Sequence, residues 1–192
     1  MKLLICSDLH GSLSSGEAIK AIVTKFEIDH ILCCGDFLYN GARNVVPADY
    51  NPNELSKILN TFSSLLVGIE GNCDSRVDKM VLNFPIKLFA GFKFNDYEIF
   101  TTHGDDEALL NFTPKENEII VKGHTHVPYM IKNENGGILL NPGSMTFPKG
   151  SLGKTFIIID EYDIILYEYE FTDAFYIIKS FSLKDSNLSF NK

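Results

Sequence analysis

Leu3-Leu4-Ile5-Cys6-Ser7-Asp8-Leu9-His10 sets an unbroken apolar run against a polar cluster. A short apolar run that stops at a polar turn suits a buried strand. Beyond it, Ile19, Ile22, Val23 and Phe26 recur at helical spacing and predict a helix to about Phe26. Ser14 with Glu17 three residues on resembles a capping box for its start. The unit then repeats. His30 to Cys34 reads as a second strand, ending at Gly35-Asp36. Asn51 as N-cap, Pro52 at the first helical position and Glu54 at the third open a second helix. Its apolar face is Leu55, Ile58, Leu59 and Phe62, and Leu65 to Ile69 reads as a third strand, ending at Gly71-Asn72. Strand, polar loop and helix in repetition imply parallel strands with helical crossovers. Ligands in such sheets collect at the carboxyl ends of the strands.

After Ile86 the pattern changes. Ile86 to Phe94, Asn95-Asp96, then Tyr97 to Thr102 reads as a hairpin that ends at His103. Glu118 to Lys122 is a further strand, ending at Gly123-His124. Tyr129 to Lys132 and Gly137 to Leu140 flank a turn, and Phe156 to Ile159, Ile164 to Tyr169 and Phe175 to Ile178 close the chain as strands. Two packed sheets with helices outside accommodate this order. The aromatic group Phe89, Phe92, Phe94 and Tyr97 is read as core and hairpin packing. The expectation is one domain over residues 1–185 and a polar tail over residues 186–192 that frays.

Composition narrows the class. At 192 residues, 45% hydrophobic and 12% aromatic, the chain has the material for a substantial core. A net charge of −8 argues against a general nucleic-acid binder, which would show a basic face. It leaves phosphate substrates open, because bound metal ions can reverse the polarity of a site. Of the four cysteines, Cys6, Cys33 and Cys34 lie in or at the end of apolar runs and read as small core residues, not a disulfide framework. The apolar run at Met1 is too short for a signal peptide, and no stretch approaches the ~20 residues of a membrane span. A soluble, cytoplasmic chain is expected.

The chemistry-bearing residues sit behind the apolar runs. They are Asp8 and His10, Asp36, Asn72, His103, and His124 with His126. Taken singly each has a plainer reading as a turn or a capped loop. Together they deliver nitrogen and oxygen donors from five separate loops, about what two adjacent divalent metals need. The mixed set without clustered cysteine argues against a structural zinc site. His30, at the start of a strand, is read as structural.

The order Asp-x-His, Gly-Asp, Gly-Asn-x-Asp, His and Gly-His-x-His resembles that of the calcineurin-like metallophosphoesterases, over Ser7 to His126. Gly71-Asn72-Cys73-Asp74-Ser75, Gly41-Ala42-Arg43-Asn44 and Asn141-Pro142-Gly143-Ser144 are similar to those of the small YfcE-type bacterial phosphodiesterases. The resemblance implies an α/β fold, a four-layer αββα sandwich of two mixed sheets flanked by helices. It implies one metal on Asp8, His10 and His126, another on Asn72, His103 and His124, and Asp36 bridging them. It implies phosphoester hydrolysis by a hydroxide held between two ions ~3.5–4 Å apart.

Two departures bear on substrate. Many members of the superfamily carry a His directly after the metal-binding Asn, as an acid for the leaving group; here that residue is Cys73, and a thiol of pKa ~8.5 substitutes poorly. Wider relatives carry Asp-Arg after the Gly-Asp loop; here Tyr39-Asn40 stand there, and Arg43 is left to contact phosphate. Asn72, Cys73 and Arg43 are thus the candidate catalytic residues beside the metal ligands. Losing both devices hurts dianionic monoesters most, so phosphodiesters with good leaving groups are favoured. Mn2+ is the preferred ion, with Fe, Ni or Zn as alternatives. A small phosphodiester partner, no stable nucleic-acid complex, no membrane association and a homo-oligomer are expected. Asp74 is expected to support the Asn72 loop, and Asn141 to Ser144 to lie near the site. The alternatives are a phosphomonoesterase or nucleotide hydrolase of the same superfamily, or a protein-binding scaffold such as retromer's metallophosphoesterase-like subunit.

Overall fold

The computed structural model describes residues 1–106 and 112–183. The tail expected at residues 186–192 lies outside them, as does the boundary at 185. One sheet has seven strands, in the order β12-β11-β10-β1-β2-β3-β4. These are Phe175–Ser182, Asp163–Tyr169, Lys154–Ile159, Leu3–Cys6, His30–Cys33, Leu66–Ile69 and Ile86–Lys87. The second has five, β5-β6-β7-β9-β8. Its strands are Phe89–Phe94, Tyr97–Thr102, Glu118–Lys122, Ile138–Asn141 and Tyr129–Lys132.

Period-two geometry divides β1 between two cores. Leu4 and Cys6 pack with Ala18, Ile19 and Ile22 of α1 (Leu13–Phe26) and with Leu55 and Leu59 of α2 (Pro52–Asn60). Leu3 and Ile5 pack with Ile99, Ile119, Val121 and Leu140 of the second sheet. Burial on both faces is why β1 and β2 read as continuous apolar runs. Each such Leu or Ile contributes roughly 1.5–3 kcal/mol on burial. Cys6, Cys33 and Cys34 are buried, as expected, and every cysteine is a free thiol. Among the described residues the two sheets and the helices α1 and α2 stack as three layers, and the outer face of the second sheet carries Phe100 against Phe89 and Phe112.

β1, β2 and β3 pair in parallel, as the repeat predicts. β6, β7 and β9 also pair in parallel, which the hairpin-like pattern after Ile86 did not announce. With β4, which also runs parallel to β3, the first sheet has four parallel strands and the second three, and the loops at the carboxyl ends of β1, β2, β3, β6 and β7 carry the expected donors. The run Ile86 to Phe94 is two strands, not one. β4 pairs with β3 in the first sheet, Leu88 is exposed, and β5 pairs with β6 in the second. A run that serves two sheets must break where it passes between them.

The α2 cap is as read: Asn51 Oδ1 accepts the Glu54 N–H at 3.2 Å. The capping box at α1 is not. The helix begins at Leu13 with Ser12 as N-cap, placing Ser14 inside it. Asp49, remote in sequence, accepts the Ser14 N–H at 2.6 Å and the Ser12 hydroxyl at 2.9 Å. Glu17 instead pairs with Lys20. The short helix α3 (Asp78–Val81) carried no sequence signal. Among the described residues no helix is long and apolar enough to cross a membrane.

Candidate metal centre

The loops that leave β1, β2, β3, β6 and β7 bring all seven expected donors together. Asp8 Oδ1 stands 3.0 Å from His126 Nε2 and 3.7 Å from His10 Nε2. Asn72 Oδ1 stands 3.1 Å from His103 Nε2 and 2.8 Å from His124 Nδ1. Between these groups, Asp36 Oδ2 lies 3.6 Å from His10 Nε2 and 3.6 Å from His103 Nε2. His30, exposed at the start of β2, takes no part.

The backbone is unusual at these residues. Asp8, His10, Asp36, His124 and His126 have φ of 58°, 46°, 56°, 63° and 61°. Non-glycine residues seldom adopt this left-handed region, and strain of this kind clusters at functional sites. A left-handed residue turns the chain sharply at the strand end and aims its side chain back over the sheets.

Hydrogen bonding fixes the tautomers. Nδ1 of His10, His103 and His126 meets the carbonyls of Tyr39, Cys34 and Phe147 at 3.0, 2.6 and 2.8 Å. A carbonyl only accepts, so each Nδ1 carries a proton, and in the neutral ring each Nε2 presents a lone pair. His10 Nε2 and His126 Nε2 then face each other at 3.2 Å. Asp8 Oδ1 is buried among them without a properly directed hydrogen bond. The centre is a set of acceptors aimed at one another, which a cation completes. Donation from the far ring nitrogen to a backbone carbonyl is also how metal-binding histidines are commonly oriented. The residues thus fit divalent ions: Asp8, His10 and His126 form one candidate group, and Asp8, Asp36 and His103 another.

Without a metal, protons answer the same deficit. Burial would depress His103, but Asp36 beside it lifts it to about 9. Burial opposes ionisation of Asp8, yet the neighbouring His10 and His126 hold its carboxyl well below the usual range. Burial and the Asp36 carboxylate push the Cys73 thiol up to about 12.

Supporting contacts come from residues that motif reading only partly found. Asp74 Oδ2 accepts the N–H of Asp36 and Gly71 at 2.9 and 2.8 Å, and its Oδ1 that of Phe37 at 2.7 Å. Burial pushes this carboxyl up to about 7, against three N–H donors that favour its ionised form. Asn141 Nδ2 donates to Gly123 O at 2.8 Å, and Ser144 Oγ donates to Asp8 O at 2.9 Å. The Asn141 to Ser144 turn therefore ties the β7 loop to the β1 loop. A cleft of about 720 Å³ opens over the centre, lined by His10, Asp36, Asn72, His124 and His126. Arg43, Cys73 and Lys149 also line it. Lys149 had no motif to flag it; it directly follows Phe147-Pro148.

Comparison with known proteins agrees with this geometry. Residues 1–163 match the model of the calcineurin-like phosphoesterase superfamily domain. Phosphodiesterase YfcE of Escherichia coli (strain K12) is 34% identical over 163 residues, covering 83% of this chain and 88% of that protein. The solved structure of the Escherichia coli phosphoesterase Yfce superposes with a TM-score of 0.86 at 30% identity, over 95% of this chain and 99% of that one. Vps29 of Chaetomium thermophilum shares the fold at a TM-score of 0.64 and 14% identity, over 95% of this chain and 98% of that one.

Proposed function

The chain belongs to the calcineurin-like phosphoesterase superfamily, and from that premise we propose that it is a hydrolase of small phosphodiesters working at a dinuclear metal site. The observation that carries the reading is the place of Asp36, whose Oδ2 is 3.6 Å from both His10 and His103. One carboxylate oxygen between two donor groups is the arrangement a bridging ligand needs. Two divalent ions, when bound, would clamp the phosphoryl group and hold a water acidic enough to supply hydroxide near neutral pH.

The chain's own residues do the rest. Asp8, His10 and His126 on one side, and Asn72, His103 and His124 on the other, would hold the ions. Their orientation is preset by the carbonyls and amides described above. Arg43 and Lys149 supply positive charge at the cleft for a phosphate oxygen. Cys73 lines the cleft too, but a thiol, with an ordinary pKa of ~8.5, substitutes poorly for an imidazole as an acid near neutrality. Water then protonates the leaving oxygen, which favours diesters whose leaving groups need little help.

The donor set of imidazole, carboxylate and amide favours Mn2+, with Fe, Ni and Zn as alternatives. A cytoplasmic homo-oligomer acting without stable nucleic-acid or membrane partners fits the acidic composition and the family resemblance. Retention of a complete donor set supports an enzyme over a protein-binding scaffold, which needs no such set. Reconstitution with each metal against bis-p-nitrophenyl phosphate and p-nitrophenyl phosphate tests the reading. Asp36→Asn and His124→Ala should abolish turnover with the fold intact. Full activity in those variants would overturn the dinuclear site, and a higher kcat/KM on the monoester would overturn the diester preference.

A further inference from the structure

A second cavity of about 490 Å³ adjoins the metal cleft. The two share Tyr39 and Cys73 as a common wall. That wall lies directly on the site, because the Cys73 N–H donates to Asp36 Oδ1 at 2.8 Å. The chemistry on its two sides differs. The cleft carries Arg43 and Lys149, whereas the second cavity carries no cation and is walled mainly by Leu38, Tyr50, Pro52, Val77 and Val81, with Asn53, Ser56 and Ser75 as its neutral polar residues. Its charged side chain, Asp78, is already engaged with the Ser75 N–H at 2.9 Å. Its rim is apolar and exposed: Val77 is 63% and Val81 43% exposed on α3, and Tyr39 is 47% exposed.

We propose that this cavity seats one aryl ester arm of the phosphodiester while the phosphate lies over the metal cleft. The proposal rests on the phosphodiesterase reading and adds the substrate class to it. A cavity of roughly 150 Å³ already admits benzene, so the volume takes a substituted ring with room to spare. A carboxylate and no cation in the wall disfavour an arm that bears a second phosphate. The cations on the far side of Tyr39 and Cys73 instead orient the phosphate towards the metals. An aryl arm removes apolar surface from water on leaving solvent, and Tyr39 and Tyr50 offer it ring faces and edges. A methyl arm gains little of this.

Binding to the Zn2+-loaded protein tests the assignment without need of turnover. Dissociation constants are measured by methyl-resolved NMR for diphenyl, phenyl methyl and dimethyl phosphate, on wild type and on Val77→Glu and Val81→Glu. Both substitutions are at exposed positions outside the cleft. The two aryl diesters should bind at least about tenfold tighter than dimethyl phosphate, and should shift the Leu38, Val77 and Val81 methyls. Each variant should erase that gap while leaving dimethyl phosphate binding unchanged. Three diesters that bind alike, or not at all, would overturn the assignment. So would variants that match wild type or that weaken all three ligands equally. Hydrolysis of bis-p-nitrophenyl phosphate is scored separately: turnover without arm discrimination refutes only the cavity, and discrimination without turnover in any metal refutes only the enzymatic reading.

Discussion

Asp74 accepts the backbone N–H of Asp36 at 2.9 Å, across two loops that leave different strands. The same carboxylate holds Gly71 and Phe37, so it fixes the β2 loop and the β3 loop as one body. Asp36 and Asn72 stand on those loops. Asp74→Asn leaves the shape but replaces an acceptor with an amide donor amid three N–H groups. At least one buried N–H then loses its partner, worth about 1–3 kcal/mol. Groups that orient metal ligands typically change affinity 10–100-fold when removed. The expected outcome is an unaltered circular dichroism spectrum with metal affinity down by about that factor, measured by titration calorimetry. Unchanged affinity would reduce Asp74 to a structural turn.

Ser144 does for the other half of the site what Asp74 does for the first. Its hydroxyl donates to Asp8 O at 2.9 Å and accepts the N–H of Thr146 and Phe147 at 3.1 and 2.8 Å. Phe147 O in turn orients His126. Ser144→Ala removes a buried hub without opening a large void. It should lower stability by about 1–3 kcal/mol. In a chain of this size that is a fall in Tm of roughly 2–12 °C. Scanning calorimetry reads it, and the loss should shrink when saturating metal is present, because a ligand that binds only the folded state stabilises it.

The donors themselves were legible because each is a polar residue breaking an apolar run. The strands β1 to β3 were legible because burial on both faces leaves no room for polar residues. The left-handed backbone at Asp8, His10, Asp36, His124 and His126 was not, since nothing but tertiary contact holds a non-glycine residue there. Parallel pairing of β6, β7 and β9 was hidden for a similar reason: β8 and β9 form a true antiparallel hairpin that masks the parallel partner. Lys149 and Asp49 act across space, so no local pattern reports them. Asp74 was read as a support for its own loop, and its reach to Asp36 and Phe37 shows only in three dimensions.

Gly123 marks a close approach of the β7 loop to the β1 loop. A Cβ there would collide with Ser7 Oγ and stand 3.1 Å from Asp8 Oδ2. Both neighbours belong to the β1 loop, which is clamped by Ser144 and cannot retreat cheaply. Rotation of the Ser7 hydroxyl leaves the Cβ still 3.1 Å from Ser7 Cβ and Asp8 Oδ2, so Gly123→Ala is expected to move the β7 loop, with His124 and His126, away from Asp8. A 1 Å displacement of reacting groups can cost about 10²-fold in rate. The expected result is a fall in kcat/KM of about that size with little change in secondary structure. Wild-type activity in Gly123→Ala would show that the loops move more freely than their contacts indicate.

Asp49 offers a pH test far from the metal centre. Burial alone would raise its pKa, but the Ser14 N–H and the Ser12 and Ser14 hydroxyls more than offset this and hold it below the usual carboxylate value. A group whose folded pKa is depressed contributes stability that is present above its unfolded pKa, about 3.9, and is lost as pH falls through the folded value. Wild type should therefore lose this contribution only in acid, below about pH 4. Asp49→Asn keeps an acceptor but not the charge at the α1 N-terminus, where a negative group is favoured. Asp49→Ala removes the cap altogether and should cost about 0.5–1 kcal/mol near neutrality, at the low end for caps because the carboxylate is partly solvated. Denaturant melts at pH 3 and pH 7 separate the cases: the difference between wild type and either variant should shrink at pH 3, and a difference that stays constant with pH would exclude the charge from any role.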